Sequence, residues 1–354
     1  MTTAMDEDKV MEFLGRVVTD AGAAVAGLCT SLGDRLGLYA AMAGAGPLTS
    51  AQLAEKTGLT ERYLREWLAA QVAGEYVLYD ADRDAYLLPD EHAAVLADPS
   101  APTYAAGFLT MMQALYGSED ALMEAFRTGE GVGWEEHSAA LFAGTAKFFR
   151  PGYTGALVSE WLPAMNGTTA KLERGAEVAD IGCGYGYSTM LMAQAYPKSH
   201  FHGFDFHQPS IDTARQIAQE QGVADRVSFD VATAQDFPGK GYDLVTFFDC
   251  LHDMGDPGRA LEHAQQALAE DGSCMIVEPN VSADVRENMN PIGRAVVSAS
   301  VAVCLPSAMA QDGPQTMGNH AGEAAMRHLA DGAGLHHWKL ATESPLNRVY
   351  AASR

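Results

Sequence analysis

The chain has 354 residues, 47% of them apolar, and sets 46 acidic residues against 23 Lys and Arg for a formal charge of −23. That length accommodates two domains, and that composition belongs to folded globular chains. So acidic a surface repels a phosphate backbone, whose neutralisation supplies most nucleic-acid affinity, and this disfavours a free-standing DNA binder. The five cysteines (Cys29, Cys183, Cys250, Cys274, Cys304) form no CxxC pair, which argues against a disulfide framework and a cysteine zinc site. No uninterrupted apolar run approaches the roughly 18 residues of a membrane helix. The start, MTTAMDEDKV, lacks the basic-then-apolar pattern of a signal peptide. The expectation is a cytoplasmic chain without a membrane partner.

Residues 1–45 read as helical and rich in small residues, fit either for a subunit interface or for ordinary core. LTSAQLAEKTGL predicts a helix capped by Thr49 or Ser50 and stopped at Gly58. TERYLREWLAAQV predicts a second, opening at Thr60, with Leu64, Trp67, Leu68 and Val72 on one face. YVLYDADRDAYLLPD alternates around an Asp-rich turn and predicts a two-stranded wing. Together these give a winged-helix outline. It would serve either DNA recognition or dimerisation, and the second helix, with Glu61, Arg62, Arg65 and Glu66, has no basic stripe. Residues 1–105 are therefore expected to form a winged-helix dimerisation domain.

Residues 106–170 are expected to be a helical linker and lid, broken near GEGVGWEEH and RPGYTG. From residue 171 to 354 the pattern changes. EVADIG, HFHGFDF, RVSFDVAT, YDLVTFF and SCMIVEP read as strands, alternating with helices at STMLMAQAY, SIDTARQIAQEQG and RALEHAQQALAEDG. Such alternation predicts an α/β domain with a mostly parallel sheet covered on both faces. After a last helix at EAAMRHLADGAG, HHWKLATE and NRVYAASR read as a hairpin that adds antiparallel pairing at the edge.

VADIGCGYGYST is the most informative stretch. Asp180 ends a strand, and Gly182, Gly184 and Gly186 make the turn into a helix, where glycines permit close backbone approach to a ligand. The spacing is GxGxG, and the dinucleotide fingerprint would need glycine where Tyr187 stands. The next strand ends in Asp205, which could accept both hydroxyls of a ribose.

DIGCGYG, Asp205, YDLVTFFDCLHD and LAEDGS together resemble the successive signatures of class I S-adenosylmethionine methyltransferases, over residues 171–354. With the winged-helix front, the chain resembles the bacterial small-molecule O-methyltransferase-like group. The resemblance implies a Rossmann-like domain with a seven-stranded sheet, S-adenosylmethionine as methyl donor, and a homodimer formed through the N-terminal domain, which also helps close the active site. It implies that Gly182, Gly184 and Gly186 cradle the methionine end and that Asp180 orients that loop. It puts Asp205 on the ribose, Phe206 on the adenine, Ala234 and Gln235 at the adenine edge, and Phe248 at the cofactor. Many relatives have an acid where this chain has Thr233, so Asp236 or backbone groups are expected to supply that contact.

FFDCLHDMGDP, residues 247–257, closes the fourth strand, where ligands of open α/β sheets bind. In plant-type O-methyltransferases a matching histidine is the general base, which implies that role for His252, although Met254 replaces the usual aromatic residue. Metal-free O- or N-methylation is one expectation. The other follows a resemblance to α-keto acid C-methyltransferases of peptide-antibiotic pathways, which keep a metal at an HD pair. His252, Asp253 and His320 would then form a two-histidine, one-carboxylate site for a divalent ion such as zinc or iron, and the β-carbon of an α-keto acid would be methylated. Arg150 and Arg294 are candidates to pair with a substrate carboxylate, and Tyr153 to line its pocket. A third reading is a regulator that binds S-adenosylmethionine without transferring its methyl.

Overall fold

In a computed structural model that describes residues 5–354, the chain divides into two units, one up to Tyr116 with Ala143–Pro151, the other Gly117–Phe142 with Gly152–Arg354. The segment 106–170 expected as a separate lid is shared between them. Residues 1–4, the first part of the acidic start read for a leader, lie outside the described residues.

The first unit follows from its caps. Thr49 accepts from the Gln52 amide at 3.2 Å while the Gln52 side chain accepts from the Thr49 amide at 2.8 Å, and this capping box starts the helix Ser50–Thr57. Gly58, at φ 71°, stops it in the left-handed conformation that glycine adopts freely. The helix Glu61–Ala73 follows, then β1 (Leu78–Asp80) and β2 (Ala85–Leu87), paired antiparallel as the wing. Leu64, Trp67 and Leu68 enter a core with Leu38, Tyr39, Met42 and Leu53. Gln71 takes the buried place next to them, with Val72 only half-buried, because its side chain accepts the Tyr39 hydroxyl at 2.6 Å.

This unit opens with a 29-residue helix, Glu7–Arg35, whose Met11, Phe13, Val18 and Val25 are all more than 60% exposed. By length and mean hydropathy (1.2) it could cross a membrane, as could Pro291–Met309 in the second unit at 1.5. An uninterrupted-run criterion passes over both because polar residues break each run.

The second unit is built on a seven-stranded sheet. Its strands are β3 (Glu177–Ile181), β4 (His200–Asp205), β5 (Val227–Val231), β6 (Tyr242–Phe248), β7 (Leu268–Pro279), β8 (His337–Glu343) and β9 (Asn347–Ser353). Their order is β5-β4-β3-β6-β7-β9-β8, parallel from β5 to β7, with β9 antiparallel to both β7 and β8. The helix expected over RALEHAQQALAEDG stops at Ala267, since Leu268 already pairs with Tyr242 as the start of β7. Both faces of the sheet are covered, which is why β3, β6 and β7 read as nearly continuous apolar runs. Between β7 and the last helix, Gly322–Gly332, the chain forms Pro291–Ala299, a wide π-helical turn Ser300–Cys304, and Leu305–Met309.

Candidate active site

The parallel strands β3, β4, β6 and β7 end at Ile181, Asp205, Phe248 and Pro279, along one edge of the sheet. Two groups of side chains stand there.

The first is the glycine loop. Gly182, Gly184 and Gly186 all take positive φ, at 68°, 54° and 72°. A Cβ at Gly182 would lie 2.8 Å from the Cys250 sulfur and one at Gly186 2.4 Å from the Phe229 ring, whereas Gly184 faces open space. Two of the glycines therefore admit neighbours and the middle one leaves room for a ligand. Asp180, buried behind the loop, accepts from Ser188 at 2.7 Å, Thr189 at 2.6 Å and Thr246 at 2.9 Å. Its lone pairs are spent on bracing the turn. Asp205 is also buried; it accepts from the Gly184 amide at 2.9 Å and the His207 amide at 2.8 Å, which ties the loop to the end of β4. Burial pushes both carboxyls above the usual carboxylate range.

Phe206 is 44% exposed beside Asp205, and Phe248 is buried. Ala234 is half-buried, and Gln235 donates to the Asp256 carbonyl at 3.3 Å. Asp236 is tied to the Thr233 hydroxyl at 2.7 Å, so the carboxylate expected to replace the missing acid already caps its own turn. The open space at Gly184 leaves room for a nucleoside-sulfonium cofactor beside the end of β4.

The second group surrounds His252, which is 3% exposed in the short 3-10 turn Leu251–Asp253. Its Nδ1 lies 2.5 Å from Glu278 Oε2, and its Nε2 lies 3.1 Å from Asp253 Oδ1. Burial alone would depress this imidazole, but the Glu278 and Asp253 carboxylates overcome it and hold the ring well above its ordinary value. Cys304 joins from the π-helical turn, and ligand atoms of His252, Asp253 and Cys304 lie within 4.8 Å of one another. Burial pushes the Cys304 thiol up to about 12. His320 falls outside that group, with a buried Nδ1 that has no hydrogen-bond partner.

Gln311 fixes the turn from below, donating to the Asp253 carbonyl at 2.8 Å and accepting from the Gly255 amide at 3.3 Å. Asp249, at φ 50°, receives the Asn347 side chain at 2.8 Å and the Tyr153 hydroxyl at 3.4 Å. Burial, with Glu278 close by, keeps its carboxyl well above the ordinary range. Tyr153 packs on Phe248 and Trp161, with ring centroids 5.4 and 6.0 Å away. Arg150 belongs to the first unit, and Arg294 is exposed on Pro291–Ala299.

Sequence reasoning missed Glu278, Cys304, Asp249 and Gln311. Glu278 carried a signal, being the one acid at the carboxyl end of the strand beside FFDCLHD. Cys304 and Gln311 lie in an apolar insertion with no spacing to mark them.

The fold and the two groups define a chain with an N-terminal winged helix-turn-helix domain followed by an α/β methyltransferase domain. Residues 23–98 match the Rv2258c-like winged HTH domain, and residues 172–327 match a methyltransferase domain. The chain is 32% identical over 98 residues to an uncharacterised Synechococcus protein, a stretch that covers 27% of this chain and 23% of that one. It is 28% identical over 108 residues to ajmaline N-methyltransferase of Rauvolfia serpentina, 30% of this chain and 36% of the relative. The matched stretches thus span about a quarter to a third of these relatives. Human N-acetylserotonin methyltransferase, solved with S-adenosylmethionine, shares the fold over 100% of this chain and 99% of its own, with a TM-score of 0.70 at 18% identity.

Proposed function

We propose that the chain is an S-adenosylmethionine-dependent methyltransferase of a small molecule, with a hydroxyl as the atom methylated. The observation that carries this is the buried His252–Glu278 pair at the same sheet edge as the glycine loop. S-adenosylmethionine would supply an electrophilic methyl group, held by the Gly182–Gly186 loop and Asp205. A phenolic hydroxyl, with a pKa of about 10, has to lose its proton as it is methylated. His252 takes that proton at Nε2 once Asp253 has yielded the position. Glu278 retains the Nδ1–H, fixes the tautomer and stabilises the imidazolium that forms. The buried rings of Tyr153, Trp161 and Phe248 exclude water from the neighbourhood of β6. The names of human N-acetylserotonin methyltransferase and ajmaline N-methyltransferase agree with a small-molecule acceptor. Incubation with labelled S-adenosylmethionine and a panel of phenols, followed by mass spectrometry, tests the reading. Label on carbon or nitrogen only would overturn it.

A second reading, metal-assisted C-methylation of an α-keto acid in peptide-antibiotic metabolism, is favoured by the gathering of His252, Asp253 and Cys304. A divalent metal held there by His252 and Asp253 would supply Lewis acidity to stabilise an enolate. Full α-keto acid methylation in the presence of chelator would end it.

The exposed apolar face of Glu7–Arg35 supports a homodimer that covers this helix.

A further inference from the structure

We propose that Cys304, and not His320, is the third protein ligand of a divalent-metal site with His252 and Asp253. The proposal deepens the metal reading above and rests on it.

The three ligand atoms lie within 4.8 Å of one another, and among the described residues this is the group of three or more such side chains so placed. The arrangement has a local cause. The turn Ser300–Cys304 is π-helical, a rare widening that frequently occurs at functional sites, and it sets Cys304 toward the Leu251–Asp253 turn. Asp253 Oδ1 is buried and has no hydrogen-bond partner, although it faces His252 Nε2 at 3.1 Å. An ion seated between His252 Nε2 and Asp253 Oδ1 would give that buried oxygen the direct partner it lacks.

The surroundings support all three atoms. Glu278 holds His252 Nδ1 at 2.5 Å, which turns Nε2 and its lone pair toward Asp253 and Cys304. A carboxylate behind a histidine is the usual support of a metal-bound imidazole. Asn319 donates to the Cys304 sulfur at 3.5 Å, and Gln311 fixes the Asp253 backbone at 2.8 Å. One nitrogen, one oxygen and one sulfur suit zinc or ferrous iron and exclude the all-oxygen shells of magnesium and calcium. As the ion binds, the Cys304 thiol proton and the His252 Nε2 proton both pass to solvent, so that the sulfur binds as thiolate and the imidazole through its Nε2 lone pair.

Titration of chelator-treated full-length protein with Co²⁺ tests this without any assay of activity. The expected result is one equivalent bound with a near-ultraviolet sulfur-to-cobalt charge-transfer band. Cys304→Ala and Cys304→Ser should lose the band, Asp253→Asn should weaken Co²⁺ binding at least tenfold, and His320→Ala should keep both band and stoichiometry. S-adenosylhomocysteine binding and circular dichroism verify that each variant is folded. A wild-type protein without the band, a band that survives Cys304→Ala, or loss of binding in His320→Ala alone would each overturn the proposal. Wild-type protein that shows the band but leaves α-keto acids unmethylated would support the site and overturn the C-methylation reading.

Discussion

His252 and Glu278 are joined at 2.5 Å although 26 residues separate them, because β6 and β7 run parallel and end side by side. The pair is buried, with His252 3% and Glu278 5% exposed.

Catalysis by this pair carries a definite pH dependence. A base must be neutral, and the imidazole is held well above its ordinary 6.5 by Glu278 and Asp253, so the rate should rise with pH through that raised value. Glu278→Gln should move this acid limb to lower pH and reduce the maximal rate, while His252→Ala should cost about 10²–10⁴ in kcat with cofactor affinity intact. The stability contribution runs the opposite way. A raised folded-state value stabilises fully below the unfolded value of 6.5 and is lost as pH rises through the folded one. Rate profiles and melting curves across pH check both, and an unchanged acid limb in Glu278→Gln would sink the role assigned to that residue.

Asp205 and Asp180 should separate function from stability. Asp205→Ala removes the acceptor for the Gly184 and His207 amides and for the ribose that the proposed cofactor would place there, and S-adenosylhomocysteine affinity should fall about 10–100-fold, as loss of hydrogen bonds to a charged group implies. Asp180→Ala strands the hydroxyls of Ser188 and Thr189, leaves Thr246 only the Ala179 carbonyl at 3.4 Å, and should cost about 3 kcal/mol of stability. Calorimetric titration and denaturant unfolding distinguish them. Equal loss of affinity in both variants with no loss of stability would contradict the division.

The apolar face of Glu7–Arg35 should be a subunit contact. Phe13 and Val17, four residues apart and both exposed, share that face. Wild-type protein should sediment at twice 37.7 kDa and the Phe13→Glu, Val17→Glu double variant at 37.7 kDa. Monomeric wild type that binds lipid vesicles through this helix would assign the face to a membrane instead.

The winged helix should not bind DNA. Both arginines of Glu61–Ala73 near its start are engaged by acids on the same helix, Arg65 with Glu61 at 2.8 Å and Arg62 with Glu66 at 2.5 Å. Gel shifts on genomic fragments at about 50 mM salt, where phosphate contacts are strongest, should show no complex. A salt-dependent shift would restore the regulator reading.

What the sequence determined by itself was local. Caps at Thr49 and Gly58, the period-two wing, the alternating strands and the GxGxG turn are each encoded within a dozen residues by backbone sterics and hydrogen-bonding needs. Those signals were enough to define the fold class and to place the glycine turn at the end of β3. They also marked His252 and Asp253, because a polar pair at the end of an apolar strand is visible in one dimension. What surrounds that pair was settled only by tertiary structure. Glu278 arrives through strand pairing, Cys304 through a π-helical turn in an insertion without periodicity, and Gln311 through a backbone clamp. These contacts join residues 26 to 58 positions apart, and no local propensity encodes such a distance. Parallel β-strands and a folded-over insertion bring them within reach, and burial then gives their charges the strength that decides the chemistry.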